Sequence, residues 1–281
     1  SYAADEENFR ISLNHQAFIQ FLRAFISHPP LWIREGFAVY FEKVTFDPES
    51  GAAEYNENLA WLDTLKALAA DGGARLLPLK DVLSMTVEGA RQNIEVFYPQ
   101  AWGVVSFLMN SPDREHTRIL WDAVAALRAD APLDDNVRLV YERSFKWYDE
   151  GFLAEEFLGY LETRRSFRAV LGEGINAYAD GKLDAAEEAF TAAADMEKGN
   201  FMPPYYLGLI NYARKNYSVA EHHYKTALEK GAQPSLIYYA LGVNFYADNR
   251  RDEAVSYLKI AGEIDPAYRQ KTEDLINRIL K

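Results

Sequence analysis

A 34-residue repeat in the C-terminal part of the chain restricts the possible folds more than any other feature of the sequence. Residues of similar size recur at this period in four columns: Gly174, Gly208 and Gly242; Ala186, Ala220 and Ala254; Ala193, Ala227 and Ala261; Phe190, Tyr224 and Leu258. A repeat of this length buries its apolar face by stacking on its neighbours. The small residues let two helices approach closely, and the large ones fill the space between them. We therefore predict an α-helical solenoid.

The period and the residue types resemble the tetratricopeptide repeat (TPR). The resemblance implies three repeats, at about residues 167–200, 201–234 and 235–267. Pro266 ends the third repeat, and residues 268–280 have apolar side chains at helical spacing. A final helix of this kind caps the end of a solenoid. We therefore expect residues 167–281 to form one domain.

Repeats of the TPR type usually bind an extended peptide or a helix on their concave surface. The resemblance places six residues on that surface: Tyr178, Tyr205, Leu209, Tyr212, Tyr239 and Tyr246. This set is aromatic and apolar, and it lacks the Lys and Asn ladder that resembles a carboxylate clamp for chaperone tails. We expect a protein or peptide partner. Two alternatives stay open, because the tyrosines could pack helix on helix or face the N-terminal domain.

Two segments near the start of the chain carry a motif that is typical of zinc peptidases. The first begins at His15 and reads His-Gln-Ala-Phe-Ile-Gln-Phe-Leu; the second begins at Trp32 and reads Trp-Ile-Arg-Glu-Gly-Phe-Ala-Val-Tyr-Phe-Glu. Both resemble the gluzincin, or peptidase MA-like, family, whose His-Glu-x-x-His motif places two imidazoles one helical turn apart. The segment from Tyr98 to Leu108 is similar to a further helix of that family. The resemblance implies the helical half of such a domain at residues 1–166.

The resemblance also assigns roles to five positions. His15 matches the first zinc ligand, Glu35 the third ligand, and Tyr98 the tyrosine that assists the oxyanion. Gln16 replaces the general base, and Ile19 replaces the second His ligand. A carboxamide accepts no proton at neutral pH, and an aliphatic side chain has no lone pair for a metal that requires three protein ligands. We therefore predict no cofactor and a domain without peptidase activity that serves in peptide binding or scaffolding.

Two other functions stay open at this point. An active zinc peptidase would need an unorthodox ligand set of His15, Glu35 and either His28 or Tyr98, and zinc would then be its cofactor. His28 stands beside Pro29 and Pro30, and its spacing does not direct it at His15. A homo-oligomerisation element would instead bury the tyrosines of the repeats against a second copy of the chain.

Composition narrows the possible functions further. The net charge is −12 and no cluster of Lys and Arg occurs, which argues against a nucleic-acid partner. The absence of cysteine excludes disulfides and thiol chemistry. No apolar run is long enough for a transmembrane helix. The resemblance is closest to bacterial members of the gluzincin family, and we therefore expect an extracytoplasmic location in a bacterium, either periplasmic or lipid-anchored. Gluzincins carry a β-rich lobe before the zinc helix, and we expect that lobe to be absent or to lie upstream.

Local patterns predict a helical N-terminal domain with little β structure. Residues 9–42 read as two helices that are broken at His28-Pro29-Pro30, and residues 44–56 read as a loop. A helix is expected from Asn58 to Ala70. Ser111 is expected to cap the next long helix, with Pro112 at its first position.

Overall fold

The computed structural model describes residues 2–281, with the side chains of Glu6 and of every residue from Asn8 onward. The chain forms two compact units, Ser1–Ser166 and Phe167–Lys281. Helices predominate in the described residues, where the β structure is one two-stranded sheet. The prediction of a mostly α fold is confirmed. None of the described helices combines the length and the apolar character needed to cross a membrane.

The first unit contains nine α-helices within its described residues. They are α1 (Tyr2–Phe25), α2 (Leu31–Tyr40), α3 (Leu62–Gly73), α4 (Leu79–Leu83), α5 (Val87–Gln92), α6 (Ile94–Asn110), α7 (Arg114–Ala125), α8 (Leu133–Val140) and α9 (Glu150–Thr163). A π-helical turn, Tyr141–Phe145, continues α8.

Helix α6 forms the centre of this unit, because nearly all of its side chains from Phe97 to Leu108 are buried. Helix α2 packs against α6 at Gly36, where a Cβ atom would lie 2.5 Å from the Ala101 carbonyl oxygen. The small residue therefore sets the distance between these two helices. Pro30 stands at the start of α2 with extended backbone angles, in agreement with the predicted break between α1 and α2.

The prediction of a loop at residues 44–56 is wrong. Strands β1 (Thr45–Asp47) and β2 (Ala52–Glu54) form an antiparallel hairpin, in which Thr45 pairs with Glu54 and Asp47 with Ala52. The Asp47 carboxylate accepts the Glu49 N–H at 2.9 Å and stabilises the turn. Most side chains of the hairpin are exposed, so the strands lack the alternation of apolar and polar residues that reveals a half-buried strand.

Two predicted helix starts are also wrong. Asp113, and not Ser111, caps α7, because its carboxylate accepts the Glu115 N–H at 2.9 Å. Helix α3 begins at Leu62 and not at Asn58, whose side chain instead accepts the Ala60 N–H at 3.1 Å in a turn. In both cases more than one nearby side chain could accept a backbone N–H group, and the local geometry determines which one does.

The second unit consists of three helix pairs and a final helix. The elements are α10 (Phe167–Ala179), α11 (Leu183–Met196), α12 (Met202–Ala213), α13 (Tyr217–Glu229), α14 (Pro234–Ala247), α15 (Arg251–Ile264) and α16 (Pro266–Ile279). The prediction of a helical-repeat solenoid is confirmed.

The glycine column and the large-residue column meet inside every helix pair. A Cβ atom added to the glycine would lie 2.8 Å from the large side chain in the first pair, 2.5 Å in the second and 2.6 Å in the third (Gly174 with Phe190, Gly208 with Tyr224, Gly242 with Leu258). The six alanines of the other two columns are completely buried. The 34-residue period is therefore a packing pattern of the two helices in each pair.

The turn inside each helix pair also repeats every 34 residues. One residue per turn has a left-handed backbone, with φ between +62° and +74° (Gly181, Lys215 and Asn249). The N–H of the next residue donates to the carbonyl five positions earlier at 2.9 Å in each case (Lys182 to Ala177, Asn216 to Asn211, Arg250 to Phe245). This bond is the long hydrogen bond of a Schellman motif.

Candidate functional site

His15 lies between two carboxylates of the first unit. Its Nδ1 atom is 2.7 Å from Oε1 of Glu42, and its Nε2 atom is 3.5 Å from Oε2 of Glu35. The neighbouring Asn14 side chain donates to the carbonyl oxygens of Glu42 and Val44, both at 2.9 Å. These bonds fix α1 against the end of α2. Each nitrogen of the imidazole therefore faces a different carboxylate.

The charges around Glu35 are balanced by groups of the protein itself. Hydrogen bonds to Glu35 and Glu42 raise the pKa of His15 to about 9. Burial by itself would raise the pKa of Glu35, but the hydrogen bond with His15 and the charge of Arg34 together lower it. The Arg34 guanidinium donates to Oε1 of Glu35, with Nη2 at 2.6 Å and Nε at 2.7 Å. Glu35, which is 6% exposed, is thus an ionised carboxylate between two cations.

The residues present here do not fit a zinc ion. His15 and Glu35 are in contact, but Ile19 is a half-buried aliphatic side chain and Gln16 is exposed. Glu42 cannot serve as the third ligand, since it faces the imidazole nitrogen on the other side from Glu35. Arg34 also occupies one oxygen of Glu35. A catalytic zinc site requires three protein ligands around one point.

The other two candidates for an unorthodox ligand set are Tyr98 and His28. Within the described residues, neither side chain is hydrogen-bonded to His15 or Glu35. Tyr98 is half-buried in α6, and its ring lies edge-on to Phe97 at 5.4 Å. His28 is exposed between α1 and α2, and its carbonyl oxygen accepts a hydrogen bond from Asn136 at 3.0 Å.

We predict that the first unit loses stability at alkaline pH through His15. Its pKa is raised from 6.5 to about 9 by folding, so the stabilisation is complete below pH 6.5 and disappears as the pH rises through 9. Allowing for partial solvent exposure, the loss should be about 2 kcal/mol. All five tryptophans lie in the first unit, so tryptophan fluorescence during urea unfolding reports on that unit. The free-energy difference between the wild type and His15→Gln should shrink from pH 6 to pH 10, and a constant difference would contradict the prediction.

A second candidate site is a group of tyrosines in the second unit, which we call the tyrosine surface. Its members are Tyr178, Tyr205, Tyr206, Tyr212, Tyr239 and Tyr268. Ring centroids lie 5.8 Å apart for Tyr178 and Tyr206, 5.5 Å for Tyr205 and Tyr206, and 5.3 Å for Tyr239 and Tyr268. Tyr268 lies close enough to Tyr205, and Tyr239 close enough to Tyr212, to influence the pKa of each. The rings thus connect all three helix pairs and α16.

The hydroxyl groups of the tyrosine surface are free of hydrogen bonds to the described residues. Burial, and to a smaller extent the nearby tyrosines, raise the pKa of Tyr205 to about 12. Burial and neighbouring tyrosines also account for the raised pKa values of Tyr178 and Tyr212. No ionised side chain among the described residues shifts the pKa of Tyr178, Tyr205 or Tyr212. Around these three residues the surface therefore offers aromatic rings and unused hydroxyl groups without a nearby charge, whereas the charge of Asp265 helps to raise the pKa of Tyr268 at its edge.

The tyrosine surface contains four of the six residues that the sequence assigned to partner binding. Leu209 is half-buried and packs on the core of the repeats. Tyr246 is 39% exposed and makes no ring contact with the other described aromatic residues. Sequence reasoning missed Tyr206 and Tyr268. Tyr268 lies in the final helix, outside the 34-residue period, so no periodic signal could identify it.

Comparisons with known proteins support the repeat assignment. No protein-family model matches the chain. An alignment over 154 residues, which covers 52% of this chain, shows 29% identity to tetratricopeptide repeat protein 37 of Xenopus laevis. The match covers 9% of that protein, so its activity and partners do not transfer to this chain. Together with the repeated helix pairs, the similarity indicates TPR-like repeats, which are typical of proteins that bind other proteins.

Proposed function

We propose that this chain is a non-catalytic peptide-binding or scaffolding protein, and that the tyrosine surface holds its partner. The observation that carries this proposal is a set of six neighbouring tyrosines, five of which have rings in contact with another member, whose hydroxyl groups have no hydrogen-bond partner among the described residues. Tyrosine provides a large contact area and a hydrogen-bonding group at a low cost in conformational entropy. Aromatic residues of this kind often contribute most of the binding energy in protein interfaces.

The chemistry of the tyrosine surface favours an extended, uncharged peptide segment. An acidic or basic partner would need side chains of opposite charge, and none influences Tyr178, Tyr205 or Tyr212. Hydroxyl donors instead suit the carbonyl oxygens of a peptide backbone. Proline-rich segments in the polyproline II conformation expose these carbonyls and bind to grooves lined with aromatic rings. We infer that proline-rich segments are the best ligands.

We expect an uncharged proline-rich peptide to bind to the protein. The double variant Tyr205→Ala, Tyr239→Ala should bind this peptide at least about tenfold more weakly. The measurement is the fluorescence anisotropy of a labelled 12-residue peptide, compared with peptides of the same length that carry alternating Glu or Lys. Tyr257→Ala is the matched control, because this half-buried tyrosine of α15 lies outside the tyrosine surface. Equal binding by the double variant and by the control would refute the proposal. Sedimentation of the same proteins tests the alternative, in which the tyrosines mediate self-association.

We further propose that the first unit is a degenerate gluzincin-like domain without peptidase activity. Support comes from the two sequence segments, the contact between His15 and Glu35, and the loss of the general base and the second His. After incubation with equimolar zinc and dialysis, the purified protein should retain far less than one zinc per chain. Stoichiometric zinc, or chelator-sensitive cleavage of a peptide library, would contradict this proposal. The extracytoplasmic location in a bacterium stays a prediction.

A further inference from the structure

An apolar cavity of about 220 Å³ lies in the first unit, between α6, α9 and the segment at residues 72–79. Leucine, valine and phenylalanine side chains form most of its wall, among them Leu76, Val104, Phe107, Phe157 and Leu158. Gln100 is the polar side chain among the described residues that line the cavity. Its carboxamide is held by the Leu77 backbone, since it accepts the Leu77 N–H at 2.9 Å and donates to the Leu77 carbonyl oxygen at 2.7 Å.

The size and the lining of this cavity determine what it can hold. Water is a poor occupant, because an ordered water needs two or more polar partners and Gln100 is the one polar side chain among the described lining residues. An enclosed apolar cavity of about 150 Å³ in another protein binds benzene, so this partly open cavity of about 220 Å³ has room for a larger group. The cavity is partly open to solvent, so an apolar ligand would be stabilised by removing this apolar wall from water.

The wall of the cavity at the end of α3 has an unusual backbone. Asp71, Gly72 and Gly73 are three successive residues with left-handed φ angles of +58°, +70° and +81°. They end the helical part of α3, and Gly72 and Gly73 line the cavity with little side-chain bulk. The conformation is costly for Asp71, because a side chain at φ near +60° is disfavoured. This turn keeps the space beside Leu158 open.

The cavity adjoins a more polar depression on the other side of the same turn. Gly72 and Leu158 line both spaces, and the depression also includes Lys66, Asp71 and Glu162. The Lys66 ammonium group donates a long hydrogen bond, 3.5 Å, to the Glu162 carbonyl oxygen. A ligand could therefore place an apolar part in the cavity and a polar end group in the depression.

We propose that this cavity is a binding site for an alkyl chain of roughly eight carbons, a length that follows from its volume relative to the benzene cavity. The alkyl chain of the ligand fills the space between α6 and α9, and the polar end of the ligand reaches the depression beside Lys66. This site is independent of the tyrosine surface, which lies in the other unit. Failure of one proposal therefore leaves the other unaffected.

The test is a titration of the full protein with 1-octanol, octanoate and toluene, followed by calorimetry and tryptophan fluorescence. We expect saturable binding of one molecule per chain. Ala154→Leu narrows the cavity from an exposed position in its wall, and it should weaken the affinity at least tenfold. Leu158→Phe provides a second variant at a half-buried position. Glu155→Leu is the control, since it adds the same side chain at the next residue, which is not part of the wall.

Three outcomes of this experiment would overturn the proposal. The first is the absence of saturable binding of both octanol and octanoate. The second is unchanged affinity in both folded cavity variants. The third is binding of toluene without binding of octanol, which would exclude an alkyl chain as the occupant. Binding of octanol and octanoate with equal affinity would support the proposal and show that the end group is not recognised, whereas tighter binding of octanoate would support a role for Lys66.

Discussion

Replacement of Gly208 by alanine should lower the free energy of unfolding of the second unit by roughly 3 kcal/mol, the upper end of the usual cost of overpacking. The added methyl group would lie 2.5 Å from Cε1 and 2.6 Å from Cδ1 of the Tyr224 ring. Tyr224 is 1% exposed, so its ring has no free space to enter. Helices α12 and α13 would have to separate, and the stacking of neighbouring repeats would be disturbed as well.

Gly172→Ala is the matched control for this prediction. Gly172 also lies in a helix of the repeats, α10, and a Cβ atom there would meet nothing within 4 Å. This change should be neutral or stabilising by about 0.5–1 kcal/mol, because alanine restricts the unfolded chain and favours a helix. Urea unfolding followed by far-UV circular dichroism measures both variants, and tryptophan fluorescence identifies the transition of the first unit. Equal stability of the two variants would mean that close helix contact at Gly208 is not required.

Gln16→Glu combined with Ile19→His should increase the affinity for zinc by about a thousandfold or more. The new imidazole would lie one helical turn from His15, and Glu35 is already 3.5 Å from the His15 ring. Two imidazoles and one carboxylate form the ligand set of a gluzincin-type zinc site. A thousandfold change corresponds to about 4 kcal/mol, which is modest for a gain of two functional groups around a metal. Competition with a zinc-sensitive dye measures the affinity.

The control for zinc binding carries the same two groups at other positions of α1. Gln20→Glu with Arg23→His adds one carboxylate and one imidazole at exposed residues, where they cannot converge with His15 and Glu35. Circular dichroism establishes that each variant is folded. If the folded Gln16→Glu, Ile19→His protein binds zinc no better than this control, the proposed descent from a zinc peptidase is wrong.

The solenoid could be predicted from sequence because its helix contacts depend on small and large residues at a fixed spacing. Each glycine faces a large side chain sixteen positions later, and the same contact recurs in all three pairs. The turns inside the pairs could not be predicted in the same way. The left-handed position is occupied by Gly181, Lys215 and Asn249 in the three pairs. Because three different residue types adopt the same backbone conformation, no sequence column identifies it.

Long-range contacts of the first unit were harder to foresee. The sequence motif relates His15 to Glu35, and these residues do lie in contact. The motif includes Glu42 as its last residue but assigns it no role, whereas in the structure Glu42 bonds to the other imidazole nitrogen and also accepts a hydrogen bond from Asn58. The apolar cavity was not predictable either, because a void depends on how α6, α9 and residues 72–79 fit together and not on any local pattern.

The repeated left-handed turn has a consequence for how the second unit can change in evolution. Each helix pair contains its own turn and its own glycine contact, separated by fixed numbers of residues. Duplication or deletion of a whole 34-residue module would preserve this internal spacing, because such architectures are held together by contacts between neighbours. A one-residue insertion within a pair would instead displace the glycine from its partner. Solenoids of this kind can therefore lengthen or shorten in complete modules, while the distances inside each module stay constant.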